Sequence, residues 1–168
     1  MTGANTRTDL EPLALRAAFA SVPAGVVAVC SEVDGERVGM AVSSFVPVSL
    51  DPPLVSFCVQ HTSTTWPRLR TAGRIGISVL GTDHSEAVRT LAAKEGDRFA
   101  GLTTRTVHGD AVHIHGSTLQ LTTSIENAVD AGDHQIIVLR VHEAHVYDSV
   151  EPVVFHGSVV RTLMPPQH

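Results

Sequence analysis

Among the ten histidines of this chain, the pair His113-x-His115 has the spacing that most directly suggests chemistry. Residues two apart along a strand share a face, so two imidazoles could begin a metal site. Asp110, His108, His142 or His145 would have to complete the shell, and no spacing fixes any of them. Scattered surface histidines are the plainer reading, and no metal ligand set is assigned. A second candidate is the hydroxyl run Thr62-Ser63-Thr64-Thr65. At a helix start, its N–H groups and the helix dipole suit a phosphate, although such a residue serves equally as an ordinary N-cap. Arg98 offers a planar donor set for phosphate or pyrophosphate, with Phe99 beside it as an apolar wall; an exposed salt bridge is the alternative. Several signatures are missing from the sequence: a Gly-x-Gly-x-x-Gly after a strand, a Gly-Lys-Ser/Thr phosphate loop and a Gly-x-Ser-x-Gly elbow.

Composition narrows the classes. With 168 residues the chain has the size of one ordinary domain, which buries roughly 68–70% of its unfolded surface and can build its own core. We expect a single domain over residues 1–168, with 1–9 as a flexible tail. A formal charge of −5 lacks the basic excess that nucleic-acid binding needs, so any anionic ligand must be held locally. Cys30 and Cys58 each close an apolar run and form no Cys-x-x-Cys pair, so they read as small buried hydrophobes. The first nine residues are polar and no apolar run reaches the roughly 18 residues a membrane span requires. A cytoplasmic protein without a membrane segment is expected.

The elements that must position these residues follow from pattern. Asp9 is placed to cap a helix carrying Leu10, Leu13, Ala14 and Ala17, stopped by Pro23 and Gly25. Val26 to Cys30 is short and β-branched, and Asp34-Gly35 turns it into a second strand from Arg37 to Val46. After the Leu50-Asp51-Pro52-Pro53 corner comes a strand from Leu54 to Gln60. Ser63 or Thr64 caps a helix that ends at Gly73, followed by a strand over Ile75–Leu80. Asp83 and Glu86 start a further helix that runs through Lys94 to Gly96, and an irregular stretch follows. Leu119, Leu121, Thr123 and Ile125 alternate as a strand, Ala131 to His134 turn, Gln135–Tyr147 is a long strand, and Val153–Val160 is the last. About seven strands with two or three short helices and no βαβ rhythm predict a mainly β protein, an antiparallel β-barrel.

The segment from Gly39 through Met40-Ala41-Val42-Ser43-Ser44-Phe45 to Ser49-Leu50-Asp51-Pro52-Pro53-Leu54 resembles the signature of the flavin reductase family. These are split-barrel proteins that supply reduced flavin to two-component monooxygenases. Arg16-Ala17-Ala18-Phe19, Pro23-Ala24-Gly25-Val26, Asp97-Arg98-Phe99 and Gly132-Asp133-His134 occur in the family's order, so the resemblance covers nearly the whole chain. It implies a homodimeric Greek-key split barrel that moves hydride from NADH, or NADPH, to FAD or FMN. The reduced flavin would then pass, by diffusion, to a partner monooxygenase. It also implies flavin contacts from Met40, Ala41, Val42, Ser43, Ser44, Phe45, Ser49, Cys58, Val59, Ser63, Thr64, Thr65, Arg98 and Phe99. His134 would sit at the flavin edge and position the nicotinamide, with His156 as a further candidate; a turn histidine capping a strand is the alternative for His134. Ser158 and Val159 stand where many members carry a tyrosine after the glycine matching Gly157. Small residues around Ser43 and Ser44 leave backbone N–H and C=O groups open to the polar edge of a ring, while an ordinary alternating strand is the plain reading.

Hydride transfer between two cofactors needs no protein nucleophile or base, which is consistent with the missing triads. Two other readings compete: a flavin-binding module of the same fold without turnover, and a metal enzyme built on His113 and His115. Oxygenation of an organic substrate by the chain itself is disfavoured, because a shallow site in so small a barrel offers little shielding from water.

Overall fold

A computed structural model describes residues 10–164. The expected cap Asp9 lies outside the described residues. Helix α1, Pro12–Phe19, follows Glu11 and begins with a proline in its first turn, where a missing N–H costs nothing. The strands are β1 Ala24–Gly25, β2 Val27–Val33, β3 Glu36–Val42, β4 Val46–Leu50 and β5 Pro53–Gln60. Then come α2 Trp66–Leu69, β6 Ile75–Val79, a 3-10 turn over Thr82–His84 and α3 Ala87–Ala92. The second half holds β7 Thr104–Val107, β8 Ala111–Ile114, β9 Leu119–Ala131, β10 His134–Val146, β11 Val153–His156 and β12 Val159–Thr162. Every ladder is antiparallel.

The main sheet runs β4-β5-β10-β9-β6-β2-β8-β7, with β3 attached to β2 alone. It curls into a barrel that no ladder closes between β3 and β5. A small second sheet, β1-β11-β12, covers one flank. The mainly β, antiparallel barrel expected from the sequence is what the chain forms. Strand β2 shows why its sequence is apolar without alternation. Val27 and Val29 point into one core with Phe57, Trp66, Leu69, Ile75, Ile77, Ile137 and Leu139. Val26, Ala28 and Cys30 join a second core with Leu80, Leu91, Phe99, Val112, Ile114 and Val153. Both faces are buried, so both must be hydrophobic. Among the described residues no helix is long and apolar enough to cross a membrane.

Several boundaries differ from the sequence expectations, each for a local reason. The strand expected over Arg37–Val46 breaks into β3 and β4, because Ser44 leaves the ladder and bonds β5 through its side chain. The last strand is a hairpin, with Gly157 and Ser158 both at positive φ (60° and 62°) between β11 and β12. The stretch after Gly96 includes the hairpin β7–β8, turned at His108 and Gly109 with φ of 51° and 93°. Helix α2 ends at Leu69, and α3 at Ala92, before Lys94. The turn before α3 is closed by a histidine in place of Asp83: the Gly81 N–H donates to His84 Nδ1 at 3.1 Å.

His113 and His115 do not share a face. β8 ends at Ile114; His113 points into the core at 1% exposure while His115 is exposed in the following turn. The His113 ring donates through Nε2 to the Leu121 carbonyl at 3.1 Å. Among the described residues no group of His, Cys, Asp and Glu is arranged to hold a metal ion.

Candidate functional site

Where the barrel is left open between β3 and β5 lies a groove of about 850 Å³. Its floor begins with the edge of β3. Gly39 turns its carbonyl away from β2, since that oxygen accepts from Arg98 Nη1 at 3.0 Å. Strand alternation then gives Ala41 an outward N–H and C=O on the same edge, available to a polar planar ligand. Ser44 supplies the join across the seam. Its Oγ accepts from the Cys58 N–H at 2.9 Å and donates to the Cys58 carbonyl at 3.2 Å, continuing the β4–β5 ladder beyond its last pair, Val46–Ser56. The Ser44 hydroxyl is therefore occupied by β5, whereas Ser43 is exposed to the groove.

The hydroxyl run forms a second wall. The Ser63 N–H donates to the Gln60 carbonyl, and Ser63 Oγ accepts from the Trp66 N–H at 3.1 Å, which starts α2 as expected of a cap. At four residues, α2 is too short for the dipole contribution the sequence suggested, because few peptide units add along its axis. The hydroxyls themselves do more. Thr65 Oγ1 accepts from Arg98 Nη1 at 2.6 Å, so one guanidinium nitrogen ties the β3 edge to this loop.

Gly39 permits that convergence. A Cβ there would lie 2.7 Å from both the Cys30 sulfur and Phe99 Cζ. Burial pushes the Cys30 thiol up to about 12, so it packs as a neutral apolar group. Phe99, next to Arg98 in the chain, is buried, with the Arg37 guanidinium carbon 5.0 Å from its ring centroid.

The β9–β10 turn brings His134 into the lining of the groove. The two-residue loop Gly132-Asp133 has positive φ only at Gly132 (66°), the geometry of a II′ hairpin turn that glycine adopts without strain. His134 Nδ1 donates to Asp133 Oδ1 at 2.6 Å, which leaves Nε2 as the free ring nitrogen. That hydrogen bond, and then the charge of the ring, hold the Asp133 carboxyl below its usual range. Both groups are solvent-accessible, so this bond orients the ring more than it stabilises the fold.

The structure thus gathers Met40, Ala41, Val42, Ser43, Ser44, Cys58, Val59, Ser63, Thr64, Thr65, Arg98 and His134 around one groove. Phe45 packs against the main core, Phe99 lines an adjoining recess, Ser49 sits on β4 and His156 on the small sheet. Thr62 of the hydroxyl run lines the groove as well, and Gln60, Leu91, Ala92 and Lys94 join it beyond the residues the sequence points to. Lys94 is the only lysine in the sequence, and that singularity was the available signal. The recess, about 310 Å³, shares Thr64, Thr65 and Arg98 with the groove and adds Arg37, Arg68, Gly96 and Asp97.

Comparison with known proteins identifies the family and the fold. A flavin reductase-like domain model matches residues 19–164. The chain is 34% identical to a flavin reductase of Pseudomonas putida, covering 89% of each chain. It is 29% identical to the reductase subunit of a flavin-dependent monooxygenase from Rhodococcus jostii, over 92% of this chain and 79% of that one. Among solved structures, the NADH:FAD oxidoreductase of Streptomyces globisporus, in complex with NAD and FAD fragments, superposes with a TM-score of 0.89 at 29% identity. That alignment covers 96% of this chain and 98% of the other.

Proposed function

This chain belongs to the flavin reductase-like family, and from that premise we propose that it oxidises NADH, reduces a flavin held in the β3–β5 groove, and releases the reduced flavin to a monooxygenase. The observation that carries the reading is the open seam itself. An unpaired strand edge, a hydroxyl loop and a bridging arginine surround a groove of about 850 Å³, within the range that holds a cofactor-sized ligand. When bound, the flavin supplies the hydride-accepting chemistry, and the protein supplies alignment.

The roles of individual residues follow from position. The outward N–H and C=O of Ala41, with the exposed Ser43, meet the polar edge of the ring and stabilise negative charge developing there. Thr62, Thr64 and Arg98 hold the phosphate end. His134, with Nδ1 committed to Asp133, keeps Nε2 for the nicotinamide or its amide. Val42, Val59 and Leu91 exclude water from one side of the groove.

The protein works as a homodimer in the cytoplasm. Exposed apolar residues on β4, namely Val46, Val48 and Leu50 at 51, 53 and 96%, support a partner surface beside the site. The Rhodococcus relative is itself the reductase subunit of a flavin-dependent monooxygenase, which supports an oxygenase as the recipient.

The test is NADH oxidation by purified protein in air, with and without added FAD or FMN. Flavin-dependent loss of NADH is expected. Flavin binding without turnover would make the chain a binding module of the same fold. Sedimentation of the purified protein would show the dimer.

A further inference from the structure

The recess beside the groove is rich in arginine, on a protein whose formal charge is −5. Arg37, Arg68 and Arg98 line it with one lining carboxylate, Asp97, and Glu36 behind it is the ion-pair partner of Arg68. The Asp97 carboxylate is turned inward on its own segment, accepting the Phe99 N–H at 2.9 Å. Each arginine is held from behind and keeps donors to spare. Arg98 uses only Nη1, for Gly39 and Thr65. Arg37 Nη1 donates to Thr104 Oγ1 at 3.0 Å while its guanidinium lies over Phe99. Arg68 Nη2 donates to Glu36 Oε2 at 2.8 Å. A guanidinium carries five N–H donors, so one or two protein contacts fix its place and leave a fork for a ligand.

The recess adjoins the groove through Thr64, Thr65 and Arg98, and His134 lines only the groove. A ligand whose ring lay over Ala41 and whose first phosphate met the hydroxyl loop would reach the recess with whatever followed that phosphate. Flavin mononucleotide has nothing there. Resting on the flavin reading above, we propose that this recess receives the pyrophosphate and adenosine half of FAD, with Arg37 and Arg68 as the residues that select FAD over FMN. Its volume of about 310 Å³ matches one nucleotide, and its charge matches a pyrophosphate, for which arginine is the fitting donor.

The experiment is calorimetric titration of the protein with FAD, FMN and AMP, repeated for Arg37→Gln, Arg68→Gln and the double variant. The wild type binds FAD more tightly than FMN. Each single variant lowers the ratio of FMN to FAD dissociation constants about tenfold, and the double variant lowers it further. AMP added to the wild type weakens FAD binding and not FMN binding, a measurement that is independent of whether any variant folds. Equal losses for FAD and FMN, or no loss for either, would overturn the assignment. So would an effect confined to the KM for NADPH, which would make the recess a site for a nicotinamide nucleotide phosphate. A wild type that binds neither flavin would instead sink the flavin reading itself, so the two failures are distinguishable.

Discussion

Arg98 offers the sharpest test of how this site is held together. Its Nη1 donates to Gly39 O at 3.0 Å and to Thr65 Oγ1 at 2.6 Å, joining β3, the hydroxyl loop and the segment after α3 at one atom. Both bonds are half-buried and charge-assisted, a class worth about 1.5 kcal/mol each at the low end. Arg98→Ala should therefore cost about 3 kcal/mol, which in a chain of this size is a fall of about 6–12 °C in Tm. Because Thr65 and Arg98 both line the groove, flavin KM should rise about tenfold or more, each tenfold corresponding to about 1.4 kcal/mol. The contribution of the contact itself is isolated by a double-mutant cycle with Thr65→Val, read by urea unfolding. If Nη1 joins the two walls, the cycle should return a coupling energy of about 1 kcal/mol. Strict additivity of Arg98→Ala and Thr65→Val, within about 0.4 kcal/mol, would refute the bridge and reduce Arg98 to a surface charge.

Other predictions follow from single contacts. Ser44→Ala orphans the Cys58 N–H at the seam, so stability should drop about 1–3 kcal/mol together with flavin affinity; denaturant midpoints and flavin titration would check this, and an unaltered midpoint would dismiss the seam contact. In Gly76→Ala the new Cβ would collide with the Val112 carbonyl oxygen, a backbone atom that cannot rotate away. A loss of about 3 kcal/mol or more, or failure to fold, is expected, and near-native melting would contradict the packing of β6 on β8. Burial lowers the pKa of both His84 and His113 below 6.5, so the unfolded chain takes up protons that the folded one refuses. Stability should hold above pH 6.5 and fall as pH drops below it towards the folded values, by at most about 1.4 kcal/mol per pH unit for each histidine. Unfolding free energies measured at pH 7.5, 6 and 5 test the sign, and a flat profile would refute it. NADH oxidation should survive EDTA, and a loss restored by a divalent metal would return attention to the histidines.

What could be read in the sequence, and what could not, follows from the range of the interaction that decides each feature. Val26–Cys30 is legible as a strand because β-branched residues and a following Asp-Gly turn act locally. Gly132-Asp133-His134 is legible because one glycine with positive φ sets the turn and thereby the aim of His134. Other features depend on contacts that no short window contains. The break of the expected long strand depends on Ser44 bonding Cys58 across the seam, and a serine that does this looks the same in sequence as one facing water. The β7–β8 hairpin is hard to see in the sequence because its turn puts His108 in the left-handed region ahead of Gly109, a conformation that few non-glycine residues adopt. The recess is the extreme case. Arg37, Arg68 and Arg98 are separated by about thirty residues at each step, and each alone reads as an ordinary surface charge. They line one recess in the folded chain, where the absence of a side chain at Gly39 lets Phe99 pack against β3 and carry Arg98 to the carbonyl beside it. The recess therefore depends on a glycine that carries no charge as well as on the arginines that line it.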